Sequence, residues 1–223
     1  MKELGNIEYF VFDLDNTLYQ GQTKVFEQVS KKMGHYISSK LGVDLKKAKE
    51  IQRNYFHTYN TTLNGLMTKH NISPHEFLNY VHDIDISFLK KDKILREELI
   101  RLKGKKYIIS NGSHSHIKNV CKHLGIENLF NGAFDITDSN FVPKPLIDPY
   151  NKMIKKFNID PKKSLIIEDL ASNLEQPKKL GFLTVWLRND EYWGKKNSDK
   201  NYIDIKIDNL TSFLKEINIL QAA

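Results

Sequence analysis

The sequence predicts an α/β protein, a doubly wound parallel sheet interrupted after its first strand by an inserted helical subdomain. Four observations carry that prediction. Six apolar runs of strand length recur along the chain, at Ile7 to Phe12, Lys106 to Ser110, Phe134 to Thr137, Ser164 to Ile167, Leu183 to Leu187 and Ile203 to Ile207. Most are continuous rather than alternating, which is the pattern of strands covered on both faces. Helix-period segments separate them, the rhythm of parallel strands joined by crossovers. The interval between the first two runs is far longer than one crossover helix needs and holds no convincing strand pattern.

The first run ends in Asp13-Leu14-Asp15-Asn16-Thr17. From Val25 to Leu89 the pattern turns helical, beginning with Val25-Phe26-Glu27-Gln28-Val29-Ser30-Lys31-Lys32-Met33. Gly42 is placed to end one helix, and Ser73-Pro74-His75-Glu76 to open another, with Ser73 as N-cap and Pro74 in the first turn. Residues 1–20 and 90–223 are therefore assigned to the α/β core and residues 21–89 to the helical insertion. The second run ends in Ser110-Asn111-Gly112, Val142-Pro143-Lys144-Pro145 lies between the third and fourth, and the fourth ends in Glu168-Asp169. Gly194 to Lys200, polar and lysine-rich, reads as a loop. The sequence has no internal repeat and no low-complexity stretch.

The chain of 223 residues is long enough to bury a sizeable core and suits one α/β domain with a smaller insertion, although two small domains would also fit. Lys and Arg number 34 against 27 Asp and Glu, a net charge of +7. The lysines are scattered, without a dense basic block and interleaved aromatics, so they read as a solvated surface rather than a nucleic-acid interface. A mild positive field would still attract a small phosphorylated substrate. The single cysteine, Cys121, excludes an intrachain disulfide and a cysteine-rich zinc site, and at helical spacing with Ile117 and Val120 it reads as buried and inert. With no leader-like N-terminus and no apolar run of membrane-spanning length, the expectation is a cytoplasmic protein, monomer or homodimer, with no nucleic-acid or membrane partner.

Two carboxylates at the end of a buried strand require compensation, because an unpaired buried charge costs several kcal/mol. A divalent cation, a lysine, or both would supply it. In an open parallel sheet, ligands bind beyond the carboxyl ends of the strands near the point where strand order reverses, so the residues after each strand gather at one rim. Acids, a hydroxyl, a glycine turn and a lysine in that place suit metal-assisted attack on a phosphate. One carboxylate serves as nucleophile, magnesium neutralises developing charge, a second acid moves the proton, and a lysine and hydroxyl hold the phosphoryl oxygens.

These residues resemble, in order, the four motifs of the haloacid dehalogenase superfamily of phosphohydrolases: Asp13-Leu14-Asp15-Asn16-Thr17, Ser110-Asn111, Lys144-Pro145, and Glu168-Asp169 with Asn173. The resemblance spans nearly the whole chain. Leu18-Tyr19, the segment Tyr59-Asn60-Thr61-Thr62-Leu63-Asn64-Gly65-Leu66, and His116 after Ser110-Asn111-Gly112 resemble the pyrimidine 5′-nucleotidase group of that superfamily. The resemblance implies a Rossmann-like core with a helical cap over the site. It implies Asp13 as nucleophile, Asp15 as general acid/base oriented by Thr17, and Lys144 holding Asp13 and the phosphoryl group. Magnesium would be held by the Asp13 side chain, the Asp15 carbonyl and Asp169, with Glu168 and Asn173 in support. Phosphate would meet Ser110, the Asn111 amide and Thr17, and the substrate would meet Tyr59, Thr62 and His116. A nucleoside monophosphate is the favoured substrate.

Two positions depart from the pattern. Leu170 stands where a small polar residue is common beside the metal acids, and Asn60 replaces a glycine common in the cap segment. His114 and His116, two residues apart, do not share a helix face, so they read as exposed or capping rather than metal-binding. His82-Asp83 reads as a polar helix or loop position. Rival readings are a phosphatase or mutase for another metabolite such as a sugar phosphate, a haloacid dehalogenase, and a non-catalytic binding module. A dehalogenase has no use for Asp15 or Asp169.

Overall fold

The computed structural model describes residues 2–189 and 192–223. All six expected strands are present: β1 (Tyr9–Phe12), β2 (Lys105–Ile109), β3 (Gly132–Phe134), β4 (Ser164–Glu168), β5 (Leu183–Leu187) and β6 (Ile205–Ile207). They form one parallel sheet in the order β3-β2-β1-β4-β5-β6. The chain builds outward from β1 through β2 to β3, then returns to the other side of β1 with β4. Tyr9 lies opposite both Lys105 and Ser164, so the carboxyl ends of β1, β2 and β4 emerge side by side at the reversal.

Period-two alternation sorts the strand side chains onto the two faces. Phe10, Phe12, Ile108, Leu165, Ile167 and Val185 enter one core. Buried residues of α5 (Lys93–Arg101), α6 (His114–Leu124) and α10 (Leu210–Ala222) complete it. Val11, Tyr107, Ile109, Ile166 and Trp186 face the other side, against Tyr150 and Met153 of α7 (Ile147–Phe157). The short helices α8 (Glu175–Leu180) and α9 (Tyr192–Lys195) follow β4 and β5. Cys121 is buried in the first core, and burial pushes its thiol up to about 12, so it is inert at neutral pH.

Four helices occupy the insertion: α1 (Val25–Leu41), α2 (Leu45–Tyr59), α3 (Thr62–His70) and α4 (Pro74–Val81). Gly42 ends α1 at φ 63°, and the Ser73 hydroxyl accepts the Glu76 N–H at 3.5 Å with Pro74 in the first turn, as the sequence predicts. The four helices share a third core containing Val29, Ile37, Leu66, Phe77 and Val81, which Ile136 joins from beyond β3. Asn60 terminates α2 at φ 68°, a left-handed position that asparagine and glycine both tolerate, which accounts for its standing in place of glycine. Gly65 lets α3 lie against α2: a Cβ there would fall 2.4 Å from Tyr55 Cγ, at the root of a side chain that cannot swing away. Gly65→Ala should therefore destabilise the protein by about 1–3 kcal/mol in chemical denaturation. That outcome opposes the roughly 1 kcal/mol that alanine's helix propensity would contribute.

β1 and β6 each start two residues later than expected, and two further elements differ more. The third strand ends at Phe134 rather than Thr137, because the Asp135 carboxylate accepts the N–H groups of Thr137 (2.7 Å) and Asp138 (3.0 Å) and folds the chain into a turn. In the expected loop from Gly194 to Lys200, Gly194 and Lys195 belong to α9 and only the remainder is turn. Among the described residues no helix is long and apolar enough to cross a membrane.

Candidate active site

The first acid is positioned by strand pairing carried one residue past β1, the Asp13 N–H donating to the Ile167 carbonyl at 2.9 Å. Lys144 Nζ donates to Asp13 Oδ1 at 2.7 Å, to Glu168 Oε1 at 2.5 Å and to the Ile109 carbonyl at 3.0 Å. These three bonds occupy all three ammonium protons, so phosphate would have to share a proton already donated. The backbone of Lys144 is clamped by the Asn111 side chain, which accepts its N–H at 2.8 Å and donates to its carbonyl at 3.2 Å. Lys144 is only 3% exposed, and α7 starts soon after it, so the lysine is a built part of the site rather than a surface charge.

Glu168, fully buried at the end of β4, has both oxygens engaged, one by Lys144 and the other by Asn173 Nδ2 at 3.2 Å. Asp169 accepts from Asn189 Nδ2 at 2.7 Å and Asn16 Nδ2 at 3.4 Å through the same oxygen, while its carbonyl accepts the Trp186 indole N–H at 2.8 Å. Ser110, at the end of β2, is buried and accepts the Gly112 N–H at 2.9 Å, closing the turn between β2 and α6. Leu170 contributes its carbonyl to the Asn173 N–H at 2.9 Å.

The structure redistributes several expected roles. Thr17 donates to Asp13 Oδ2 at 3.2 Å rather than to Asp15. Asp15 is held instead by the Tyr19 hydroxyl at 2.5 Å and His116 Nε2 at 2.7 Å. His116 is 2% exposed, neither capping nor solvent-facing, because the first turn of α6 packs it inward, whereas His114 is exposed. Thr62 is buried with its hydroxyl donated to the Gln52 carbonyl, and the Tyr59 ring meets Tyr55 edge-on with Lys69 above it, so the contacts of both residues lie within the α2–α3 pair. His82, read as an ordinary polar position, stacks on His116. Asn189 was missed altogether, although its place just past β5, at the same rim, was a signal that could have found it.

Four carboxylates, Asp13, Asp15, Glu168 and Asp169, converge here. Burial raises the Asp13 carboxyl above its usual range, and the nearby Lys144 offsets only part of that rise. Burial, with Asp13 close by, pushes Glu168 up to about 8 and Asp169 up to about 7. Burial would lower Lys144, but Asp13 and Glu168 outweigh it and hold the ammonium above its usual range. Burial also acts to raise Asp15, but His116 and the Tyr19 hydroxyl overcome it and bring the carboxyl down to about 2. The pattern is an excess of negative charge. Oxygens of Asp13, Glu168 and Asp169 lie within 4.8 Å of one another, an all-oxygen donor set suited to a hard divalent cation. Asp169 fits that role best, since both of its side-chain hydrogen bonds fall on Oδ2, whereas Asp13 and Glu168 are each bound at both oxygens and would share an oxygen already accepting a proton.

A stability consequence follows. The folded state keeps protons on Glu168 and Asp169 that the unfolded chain releases in the ordinary carboxylate range, so stability falls as pH rises toward about 8. Burial lowers His82 from 6.5 to about 3, which makes stability rise with pH below 6.5 and masks the trend there. In metal-free buffer the melting temperature should therefore fall between pH 6.5 and about 8, and a hard divalent cation should restore it more at the higher pH. Calorimetry with and without chelator checks this; a flat metal-free profile would contradict the charge excess.

Comparison with known proteins agrees with the fold. A family model for haloacid dehalogenase-like hydrolases matches residues 7–181. Phosphate metabolism protein 8 of Saccharomyces cerevisiae is 34% identical over 135 residues, covering 55% of this chain and 41% of the yeast protein, so the match spans less than half of that relative. The glyceraldehyde 3-phosphate phosphatase of Pyrococcus furiosus is 26% identical over 228 residues, covering 95% of this chain and 93% of the relative. Among solved structures, a HAD phosphatase from Thermococcus onnurineus shares the fold with a TM-score of 0.63 at 17% identity, over 95% of this chain and 97% of its own.

Proposed function

The chain belongs to the haloacid dehalogenase-like hydrolases, and from that premise we propose that it is a magnesium-dependent phosphomonoesterase working through a phospho-aspartyl intermediate. The observation that carries this reading is Asp13 at the strand-order reversal, bonded to Lys144 at 2.7 Å and within reach of Asp169. Asp13 attacks phosphorus while the ester oxygen departs with a proton passed through Asp15, whose carboxyl, ionised in the free site, takes that proton from the phosphate monoanion of the bound ester. Water then attacks the acyl phosphate and returns a proton to Asp15, releasing Asp13 and inorganic phosphate. Lys144 keeps the Asp13 carboxylate aimed, and Glu168 keeps Lys144 in place. Ser110 and the turn amides after β2 receive the phosphoryl oxygens. A magnesium ion held by Asp13, Asp169 and the Asp15 carbonyl would supply charge neutralisation on those oxygens.

Residues 1–20 and 90–223 form the core in this reading, and residues 21–89 form a cap that covers the substrate. The ligand is a small phosphorylated metabolite, in a cytoplasmic setting suggested by the single buried cysteine, with neither nucleic acid nor membrane required. A pyrimidine nucleoside monophosphate is favoured only by the resemblance of the Leu18-Tyr19 pair and the Tyr59 to Leu66 segment to the pyrimidine 5′-nucleotidase group. A second reading, a three-carbon sugar phosphate, is favoured by the Pyrococcus relative, named as a glyceraldehyde 3-phosphate phosphatase. Phosphate release assayed over UMP, CMP, glyceraldehyde 3-phosphate and hexose phosphates, with magnesium and with chelator, separates the two. Halide release from a 2-haloacid without phosphate release from any ester would overturn both.

A further inference from the structure

Asp15 is aimed by groups outside the four motifs. Both of its recorded hydrogen bonds, from Tyr19 and His116, fall on Oδ1. Oδ2 receives none from the described residues. Two donors from different directions on one oxygen stop rotation about the Cβ–Cγ bond and leave the other oxygen for proton transfer.

His116 is itself enclosed. The His82 ring, at the end of α4, stacks on it with centroids 4.3 Å apart and planes 12° from parallel. His82 Nδ1 lies 2.8 Å from Ser113 Oγ, and that same oxygen caps α6 by accepting the His116 N–H at 3.3 Å. Gly112 leaves the space the pair needs, since a Cβ there would come within 3.2 Å of His116 Cδ2, 3.1 Å of Ser110 Oγ and 3.7 Å of His82 Nε2. Burial brings His82 down to about 3, so a neutral ring covers His116 at working pH.

We propose that His116 is a positioning residue that fixes the proton-transferring carboxylate of Asp15, and that His82 holds His116 from the helical layer. Docking of α4 against the sheet and the aim of Asp15 are then one structural event. The inference rests on Asp15 acting as the general acid/base, and the test separates the two claims.

The full-length enzyme is assayed with an alkyl phosphate monoester, whose leaving oxygen needs a proton, and with p-nitrophenyl phosphate, whose leaving group departs without one. His116→Phe keeps the ring volume and removes the donor. It should lower kcat for the alkyl ester about a hundredfold with KM little changed, the usual scale for a mispositioned general acid. With p-nitrophenyl phosphate it should still give a rapid single-turnover burst of p-nitrophenol, with phospho-enzyme accumulating because water activation is slowed. His116→Gln, which restores a donor, should recover much of the loss. His82→Ala, at a partly exposed position less prone to misfolding, should show the same dependence on leaving group at smaller size. Equal loss on both esters including the burst, or no loss in either variant, would overturn the proposal. Asp15→Asn is the control: if it keeps full turnover of the alkyl ester, the acid/base reading fails. If it shows the leaving-group signature and neither histidine variant does, only the positioning claim fails.

Discussion

Asp13→Asn should reduce phosphate release by at least about a thousandfold, because the proposed reaction loses its nucleophile and no neighbouring carboxylate occupies that place. The same substitution should leave the melting temperature unchanged or raise it. Asp13 sits beside Glu168 and Asp169 in a corner where burial already lifts all three carboxyls above their usual range, and removing one negative charge relieves the other two. Lys144 keeps Glu168 and the Ile109 carbonyl as acceptors, so the lysine is not orphaned. A site built for reaction at a cost to stability is expected to behave this way. Magnesium-dependent phosphate release that survives in the folded variant would refute Asp13 as nucleophile.

Lys144→Met should cost both activity and stability. It removes the ammonium that bonds two buried carboxylates, leaving Asp13 and Glu168 facing each other and Asp169 without compensation. Breaking a buried ion pair from one side typically costs about 3–5 kcal/mol, because the remaining charge is buried unpaired. Methionine fills the volume, so the loss is electrostatic rather than a cavity effect. The penalty should shrink as pH falls and the carboxyls take up protons, and it should shrink when magnesium is added. Denaturant unfolding at two pH values with and without the ion measures this. A loss of stability independent of both would point to packing instead. The contrast between the variants is diagnostic: removing a negative charge from this corner should be tolerated by the fold, and removing its positive charge should not.

The fold was legible because its signals are local. Phe10-Val11-Phe12 and Leu165-Ile166-Ile167 are apolar at every position, and only a strand covered on both faces buries them all. Gly42 and the Ser73-Pro74 pair mark helix ends through backbone preferences that neighbours along the chain scarcely alter. The third strand came out short because Asp135 folds its own following amides, a turn signal hidden inside an apolar run. Asp13, Asp15, Lys144, Glu168 and Asp169 were legible as a group because each closes or follows a strand, and parallel strands bring such ends together whatever lies between.

Other partnerships were not legible. Thr17 could equally reach Asp13 or Asp15 from the turn, and only the local geometry decides for Asp13. Thr62 and Tyr59 were expected toward the substrate, but close α2–α3 packing at Gly65 engages them among the helices themselves. His82, His116 and Tyr19 meet around Asp15 from three separate elements, and Asn189 reaches Asp169 from beyond β5.

By itself, then, the sequence determined the strand count, the parallel sheet, the helical insertion and the acids and lysine at its rim. Those follow from periodicity and from residue types that neither bury alone nor sit at strand ends without cause. Only the tertiary structure decided which donor serves which carboxylate, and hence which acid is held low near 2 and which are lifted toward 7 and 8. The reason is physical: periodicity depends on neighbours a few residues apart, whereas a charge in a buried corner is governed by groups within a few ångströms, here up to 153 residues away along the chain.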